Sequence, residues 1–205
     1  IKPHIQQINA PDALRTLQCW LIWRYEHHDK EAKPRKMPYY ASGSPRRGVH
    51  GNPEDRAQLV TFDAAKAAAA RRGYDGVGFC PLPELGIVAG DFDNCVGADG
   101  ISPSVEAMVA GTYTEYSPSG KGIRAFWLGN LGNRKTQSGG GPFGFETFST
   151  NGFVTFTGNV TEMCSLLGAE NIVAPISAEL HQHYQARFGA YNDPAECDPL
   201  LTHAP

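Results

Sequence analysis

The sequence predicts an α+β fold with one active cleft where two modules meet. Three observations carry that expectation. Short runs rich in aromatic and β-branched residues recur along the chain. The first of them alternate with an alanine-rich helical stretch, as in a small α/β module. The later ones follow one another across turns, as the strands of a mainly antiparallel sheet do, with helices on one side.

Taken in order, "CWLIWRYE" (19–26) reads as a strand, "HHDKEAKP" as a polar turn and "RKMPYY" (35–40) as the returning strand. "ASGSPRRGVHGNPEDR" is a long Gly/Pro/Ser loop with basic residues, a kind of segment that often carries function. "TFDAAKAAAARRG" is a helix with Thr61 as N-cap and Gly73 as its stop. "GVGFCPL" and "LGIVAGDFD" are strands joined by a proline-containing turn. In "SPSVEAMVAG" (102–111), Ser102 caps a short helix with Pro103 in its first position. "TYTEYS" and "IRAFWLG" are strands on either side of the turn "PSGKG", and "NLGNRKTQSGGGP" is a flexible loop. "FGFETFS" and "FVTFTGN" form a hairpin across Thr150-Asn151-Gly152, and "SAELHQHYQARFG" is the last helix. These elements divide into an N-terminal module of about 1–80, a sheet over about 81–160 and a C-terminal helix over about 175–190.

Composition narrows the function classes. The chain of 205 residues is 41% hydrophobic and 19% charged, which reads as globular and able to bury an ordinary core. No apolar run approaches the roughly 18 residues of a membrane span, and no signal-peptide pattern opens the sequence, so a cytoplasmic place and no membrane partner are expected. The start at Ile1 without methionine fits a domain excised from something longer. Five cysteines (Cys19, Cys80, Cys95, Cys164, Cys197) form no CxxC pair and read as reduced thiols. A net charge of −3 argues against a tight, nonspecific DNA coat. Local basic groups remain for transient nucleic-acid contact: Lys33-Pro34-Arg35-Lys36, Arg46-Arg47, Arg71-Arg72 and Arg134-Lys135.

The chemistry gathers around "GIVAGDFDNC". Side chains alternate faces along a strand, so Asp91 and Asp93 point to the same side at its end. "DFDN" is also good turn chemistry, but two adjacent carboxylates repel, and a hard cation with oxygen ligands would offset that repulsion. Glu146 stands in the middle of the apolar strand "FGFETFS", where an unpaired charge is expensive, so it is the expected third acid. Glu115 in "TYTEYS" competes with it. Between these acids, "YSPSGKGIRAFW" (116–127) offers hydroxyls, backbone N–H groups and an ammonium to an anion, although it lacks the Walker A spacing.

This ordered set resembles the prim-pol type catalytic domain of the archaeo-eukaryotic primase superfamily, found in replication proteins of phages, plasmids and integrated elements. An acid-x-acid follows an apolar strand, S-P-S-G-x-G leads into a strand, and an acid precedes "TFTGN"; "WLIWRYE", "RKMPYYASG", "TFDAA" and "GVGF" stand in the same order. The resemblance implies an RRM-like sheet beside an N-terminal α/β module, and a DNA primase/polymerase that joins nucleotides by two-metal phosphoryl transfer. It implies that Asp91, Asp93 and Glu146 are the catalytic acids and hold Mg²⁺ or Mn²⁺. Ser117, Ser119, Gly120, Lys121, Gly122 and Arg124 would bind the incoming nucleotide, with Lys36 reaching the same cleft or the template. The implied partners are single-stranded DNA template, dNTP or NTP, primer, and a helicase in cis or in trans. Two positions depart from the family pattern: Arg124 stands where many relatives have histidine, and Gly152 where an arginine is common.

Other readings use other features. A DxD phosphohydrolase would place its first Asp in a parallel α/β fold, whereas this chain ends in antiparallel strands. An HxH nuclease would need His181 and His183, which lie two apart on a helix and do not face each other. A nucleic-acid or nucleotide binding module that keeps the fold without catalysis is the third alternative, and intact acids at all three positions argue against it. Arg124 itself has one competing role, a salt bridge to Glu115 on the adjacent strand.

Overall fold

A computed structural model describes residues 5–27, 33–132 and 141–189. The chain enters through a short helix, α1 (Asp12–Arg15), and the strand β1 (Trp20–Glu26), which turns back into β2 (Arg35–Tyr39). After α2 (Pro53–Arg56) comes α3 (Phe62–Arg72), then β3 (Gly76–Phe79) and β4 (Ile87–Asp93). A small ribbon of β5 (Val96–Gly97) and β6 (Gly100–Ile101) precedes α4 (Pro103–Val109), β7 (Thr114–Tyr116) and β8 (Ile123–Leu128). The remainder is β9 (Gly144–Phe148), β10 (Val154–Phe156), α5 (Glu162–Leu166), β11 (Ala174–Pro175) and α6 (Ala178–Phe188). The α+β class is as expected.

The strands make two main sheets. The first runs β10-β3-β1-β2, with every pairing antiparallel. The second runs β11-β8-β4-β9, with β7 also on β8 and β11 the parallel partner. The expected hairpin across Thr150-Asn151-Gly152 therefore does not form: β9 pairs with β4, and β10 crosses to β3 in the other sheet. The local turn chemistry is real, but Arg46 donates to the Gly152 carbonyl at 2.7 Å and fixes the connection between the sheets.

Alternation along the strands builds two cores that share β4 and β8. On the first sheet, Trp20 meets Phe62, Phe79 and Phe156 edge-on at 4.9, 5.2 and 5.1 Å. Alanines at 65, 68 and 69 let α3 lie close on that face. Phe79 also meets Phe126 at 5.5 Å, and Phe156 stacks on Tyr113, so this core continues onto the second sheet with Ile87 and Ala89. The opposite faces of β4 and β8 send Val88, Phe92, Ile123, Ala125 and Trp127 into a second core under α4 and α6. Gly73 ends α3 as expected, whereas Thr61 and Ser102 occupy their cap positions without a side-chain hydrogen bond.

Arg46 corrects another expectation. It is not surface charge: its guanidinium grips Asp55 through two contacts of 2.7 Å, with both side chains at most 2% exposed. The pair closes the loop after β2 against Cys80 and Gly152. Cys19, Cys80, Cys95 and Cys164 are free and buried. Arg134, Lys135 and Cys197 lie outside the described residues. Among the described residues no helix is long and apolar enough to cross a membrane.

Candidate active site

The strand register lines up one row of side chains across the second sheet. Glu115 on β7 stands opposite Arg124 on β8, Arg124 opposite Asp91 on β4, and Asp91 opposite Glu146 on β9. The row lies on the face that carries Ile87, Ala89 and Phe126 into the first core, so the apolar half of each strand ends where its charged half begins. Asp93, two residues beyond Asp91, shares this face and is exposed. The following residue, Asn94, takes the left-handed conformation at φ 57° and turns the chain away.

Arg124 is 2% exposed, and its Nη2 donates to Asp91 Oδ2 at 3.2 Å. The expected competitor, an ion pair with Glu115, does not form: among the described residues Arg124 makes its ion pair with Asp91. Its Nε and Nη1, together with Asp91 Oδ1, are buried without partners. Unpaired buried polar atoms are costly, and they mark a place where a ligand, ion or water completes the bonding. Lys36, half-buried on β2, belongs to the same electrostatic field. Burial and the Arg124 charge lower its pKa against the pull of Asp91 and Asp93. Burial and the neighbouring Asp91 raise the Asp93 pKa.

Glu115 is fully buried and firmly held. It accepts from the Thr157 N–H at 2.9 Å, the Gly158 N–H at 2.8 Å and the Tyr113 hydroxyl at 3.0 Å. Burial pushes its carboxyl up to about 7, although the two backbone donors and Arg124 pull it down. Thr157 and Gly158 of "TFTGN", just past the end of β10, thus anchor an acid of the other sheet.

The turn between β7 and β8 is closed by its own bonds. Ser117 N–H donates to Gly122 O at 2.8 Å, Gly120 N–H to Ser117 O at 2.9 Å, and Gly122 N–H to Ser117 Oγ at 3.3 Å. Ser119 Oγ accepts from Lys121 N–H at 3.3 Å, while the Lys121 side chain is exposed. Gly120 has φ 72°, which glycine adopts without strain. Gly122 is required for a different reason: a Cβ there would stand 2.4 Å from Phe92 O. The turn is therefore pressed onto β4 between Asp91 and Asp93. Ser117, Ser119 and Gly120 line a cavity of about 250 Å³ together with Trp23, Asp75 and Asn159.

The structure thus brings Asp91, Asp93, Glu146, Arg124 and Lys36 to one charged region, with the Ser117–Gly122 turn packed against its central strand. Among the described residues no three acidic, histidine or cysteine side chains are gathered as a ready metal-ligand set. The donor chemistry nevertheless suits a hard cation, because the candidate ligands are all carboxylate oxygens and Asp91 Oδ1 awaits a partner. His181 and His183 are elsewhere: His183 packs on Phe143 and Phe145, on the second-core face of the sheet. β4 lies between two antiparallel neighbours, unlike the parallel strand of a DxD phosphohydrolase. The Asp91–Arg124 pair escaped sequence reasoning, since nothing local states which strands adjoin.

No protein-family profile matches the chain. It is similar to the DNA primase-polymerase of Nitratiruptor phage NrS-1, at 27% identity over 168 residues. That match covers 76% of this chain but 21% of the phage protein, so the similarity is to one part of a much longer relative. The likeness supports a distant relationship to the prim-pol group.

Proposed function

We propose that this chain is the catalytic module of a DNA primase-polymerase, joining nucleotides on a single-stranded template. The observation that carries the reading is the charged row, in which Asp91 and Glu146 face each other across adjacent strands beside Arg124, with Asp93 on the same face. The similarity to a phage primase-polymerase supports the same conclusion. In this reading the second sheet is an RRM-like platform, and the cleft lies between its charged face and Lys36 of the first sheet.

Asp91, Asp93 and Glu146 are the residues that would hold Mg²⁺ or Mn²⁺. Such ions, held there, would supply the means to lower the pKa of a primer 3′-hydroxyl and to neutralise charge on the α-phosphate and the leaving pyrophosphate. The chain's own cations do the rest. Arg124 carries unpartnered Nε and Nη1 donors on the two edges of a planar, permanently charged guanidinium, which suits phosphate oxygens. Lys36 adds a second positive charge from the opposite sheet. The Ser117–Gly122 turn positions the triphosphate beside them, and its contact with β4 keeps phosphate and acids in fixed relation. In priming, a second nucleotide replaces the primer end.

The test is a primer-extension and priming assay with labelled nucleotides, with and without Mn²⁺. Asp91→Ala and Asp93→Ala should each abolish incorporation while leaving the circular dichroism spectrum unchanged; Asp93 is exposed, whereas Asp91→Ala also strips buried Arg124 of its ion pair and should melt lower. Glu146→Gln should behave in the same way. Wild-type extension by both aspartate variants would sink the assignment, as would extension that is indifferent to metal.

A further inference from the structure

Arg124 is poorly satisfied where it stands. One of its three nitrogens bonds Asp91, and the other two are buried with no partner. On its other side in the row is Glu115, directly opposite across β7 and β8. Directly opposed residues of an antiparallel pair have their Cβ atoms about 5 Å apart, within a guanidinium's swing. Glu115 has room for it. A carboxylate offers about four acceptor directions, and Thr157, Gly158 and Tyr113 take three. These three donors also pin the carboxylate, so it cannot come to Arg124; the arginine must come to it.

Asp91 has the opposite problem. Any divalent cation it helps to hold must compete with a guanidinium already on Oδ2, in a region where Lys36 adds a second positive charge. A cation and Arg124 both seated on Asp91 would repel each other strongly in so buried a place.

We propose that Glu115 is a second seat for Arg124: the guanidinium covers Asp91 while no divalent cation is bound, and moves across the row onto Glu115 when a cation takes Asp91. This rests on the reading of Asp91 as a cation ligand. Glu115 is then a positioning residue that acts through Arg124. Two populated seats keep the acids neutralised without metal, and with metal they leave the guanidinium fixed beside the cation and turned from the carboxylate it covered.

Metal binding by the full chain at about pH 8, where Glu115 is ionised, read from the free Mn²⁺ paramagnetic resonance signal with no nucleotide or DNA present, tests this in a double-mutant cycle. Arg124→Ala should tighten Mn²⁺ by about tenfold, since Asp91 is uncovered. Glu115→Gln should weaken it by about tenfold, because Arg124 has lost its second seat. In the Arg124→Ala background, Glu115→Gln should change the affinity less than about twofold. Equal effects of Glu115→Gln in both backgrounds would mean that its charge acts through space, and would overturn the proposal. Should Glu115→Gln fail to fold, the Arg124 Nε–H resonance of ¹⁵N-labelled wild type, assigned by its loss in Arg124→Lys, must shift on adding Mg²⁺; an unmoved signal at saturating Mg²⁺ overturns the proposal equally. A folded wild type that binds no Mn²⁺ refutes the metal reading itself, whereas Mn²⁺ binding with an additive cycle refutes the second seat alone.

Discussion

Replacing Gly122 with alanine is the smallest change that reaches the acids from the nucleotide turn. The added methyl would stand 2.4 Å from the Phe92 carbonyl oxygen and 3.2 Å from the Asp93 Cα. Both are backbone atoms of β4 and cannot rotate aside. Either the turn lifts or the strand bends between Asp91 and Asp93. Forcing one carbon into a packed site costs about 1–3 kcal/mol, and each kcal/mol lowers the melting temperature of a chain this size by about 2–4 °C. The expected fall is therefore roughly 2–12 °C, measured by circular dichroism melting. Gly120→Ala is the control. It has φ 72° with nothing within 4 Å of the added carbon, so it suffers backbone strain alone, about 1–2 kcal/mol. Assayed well below either melting point, Gly122→Ala should lose more incorporation than its lower stability accounts for, because the clash lands between two acids. A Gly122→Ala melt within about 1 °C of wild type would refute the reasoning.

Three other outcomes are expected. Arg46→Ala leaves Asp55 buried without its counter-ion, and should cost about 3–5 kcal/mol in urea unfolding; a loss below about 1 kcal/mol would mean that the pair is dispensable. Glu115 keeps its proton in the folded chain up to about pH 7, whereas the ordinary glutamate value is 4.5, so folded-state stability should decline as pH rises through that window. Glu115→Gln removes the decline, and a wild-type stability that rises between those limits relative to the variant contradicts it. With a net charge of −3, the chain should bind duplex DNA weakly and lose it steeply as salt rises; fluorescence anisotropy that persists at high salt would point to a dedicated binding module.

What could be read from the sequence follows from how local the cause is. "CWLIWRYE", "FDAAKAAAARR" and "GIVAGDFD" carry their periodicity within themselves, and the structure places β1, α3 and β4 there. Asp91 and Asp93 share a face because alternation along one strand requires it. The hairpin reading failed because Thr150-Asn151-Gly152 specifies a change of direction, not a pairing partner, and Phe156 gains more by stacking on Tyr113 and meeting Trp20 in the first core. Arg46 looked like surface charge because its partner, Asp55, lies in another element of the same loop. Alternation along β8 is enough to put Arg124 on the side of Phe126, but Glu115 is held by three donors that arrive from Tyr113 and from the end of β10, and Arg124 pairs with Asp91 instead. Long-range register decides such choices, and no short stretch of sequence states it.

The crossing of β10 into the first sheet has a consequence for how the chain emerges from a ribosome. β3 finds its outer partner about 75 residues later, when Val154 reaches Phe79. At usual rates of synthesis, about 5–20 residues per second, the edge of β3 waits roughly 4–15 s, with its backbone N–H and C=O groups open to any other extended segment. A ribosome that pauses within that interval holds out an adhesive nascent chain, and a fragment truncated before residue 154 keeps that edge permanently. Splitting the protein after its first module should therefore yield aggregates, because β3 then keeps an unpaired edge.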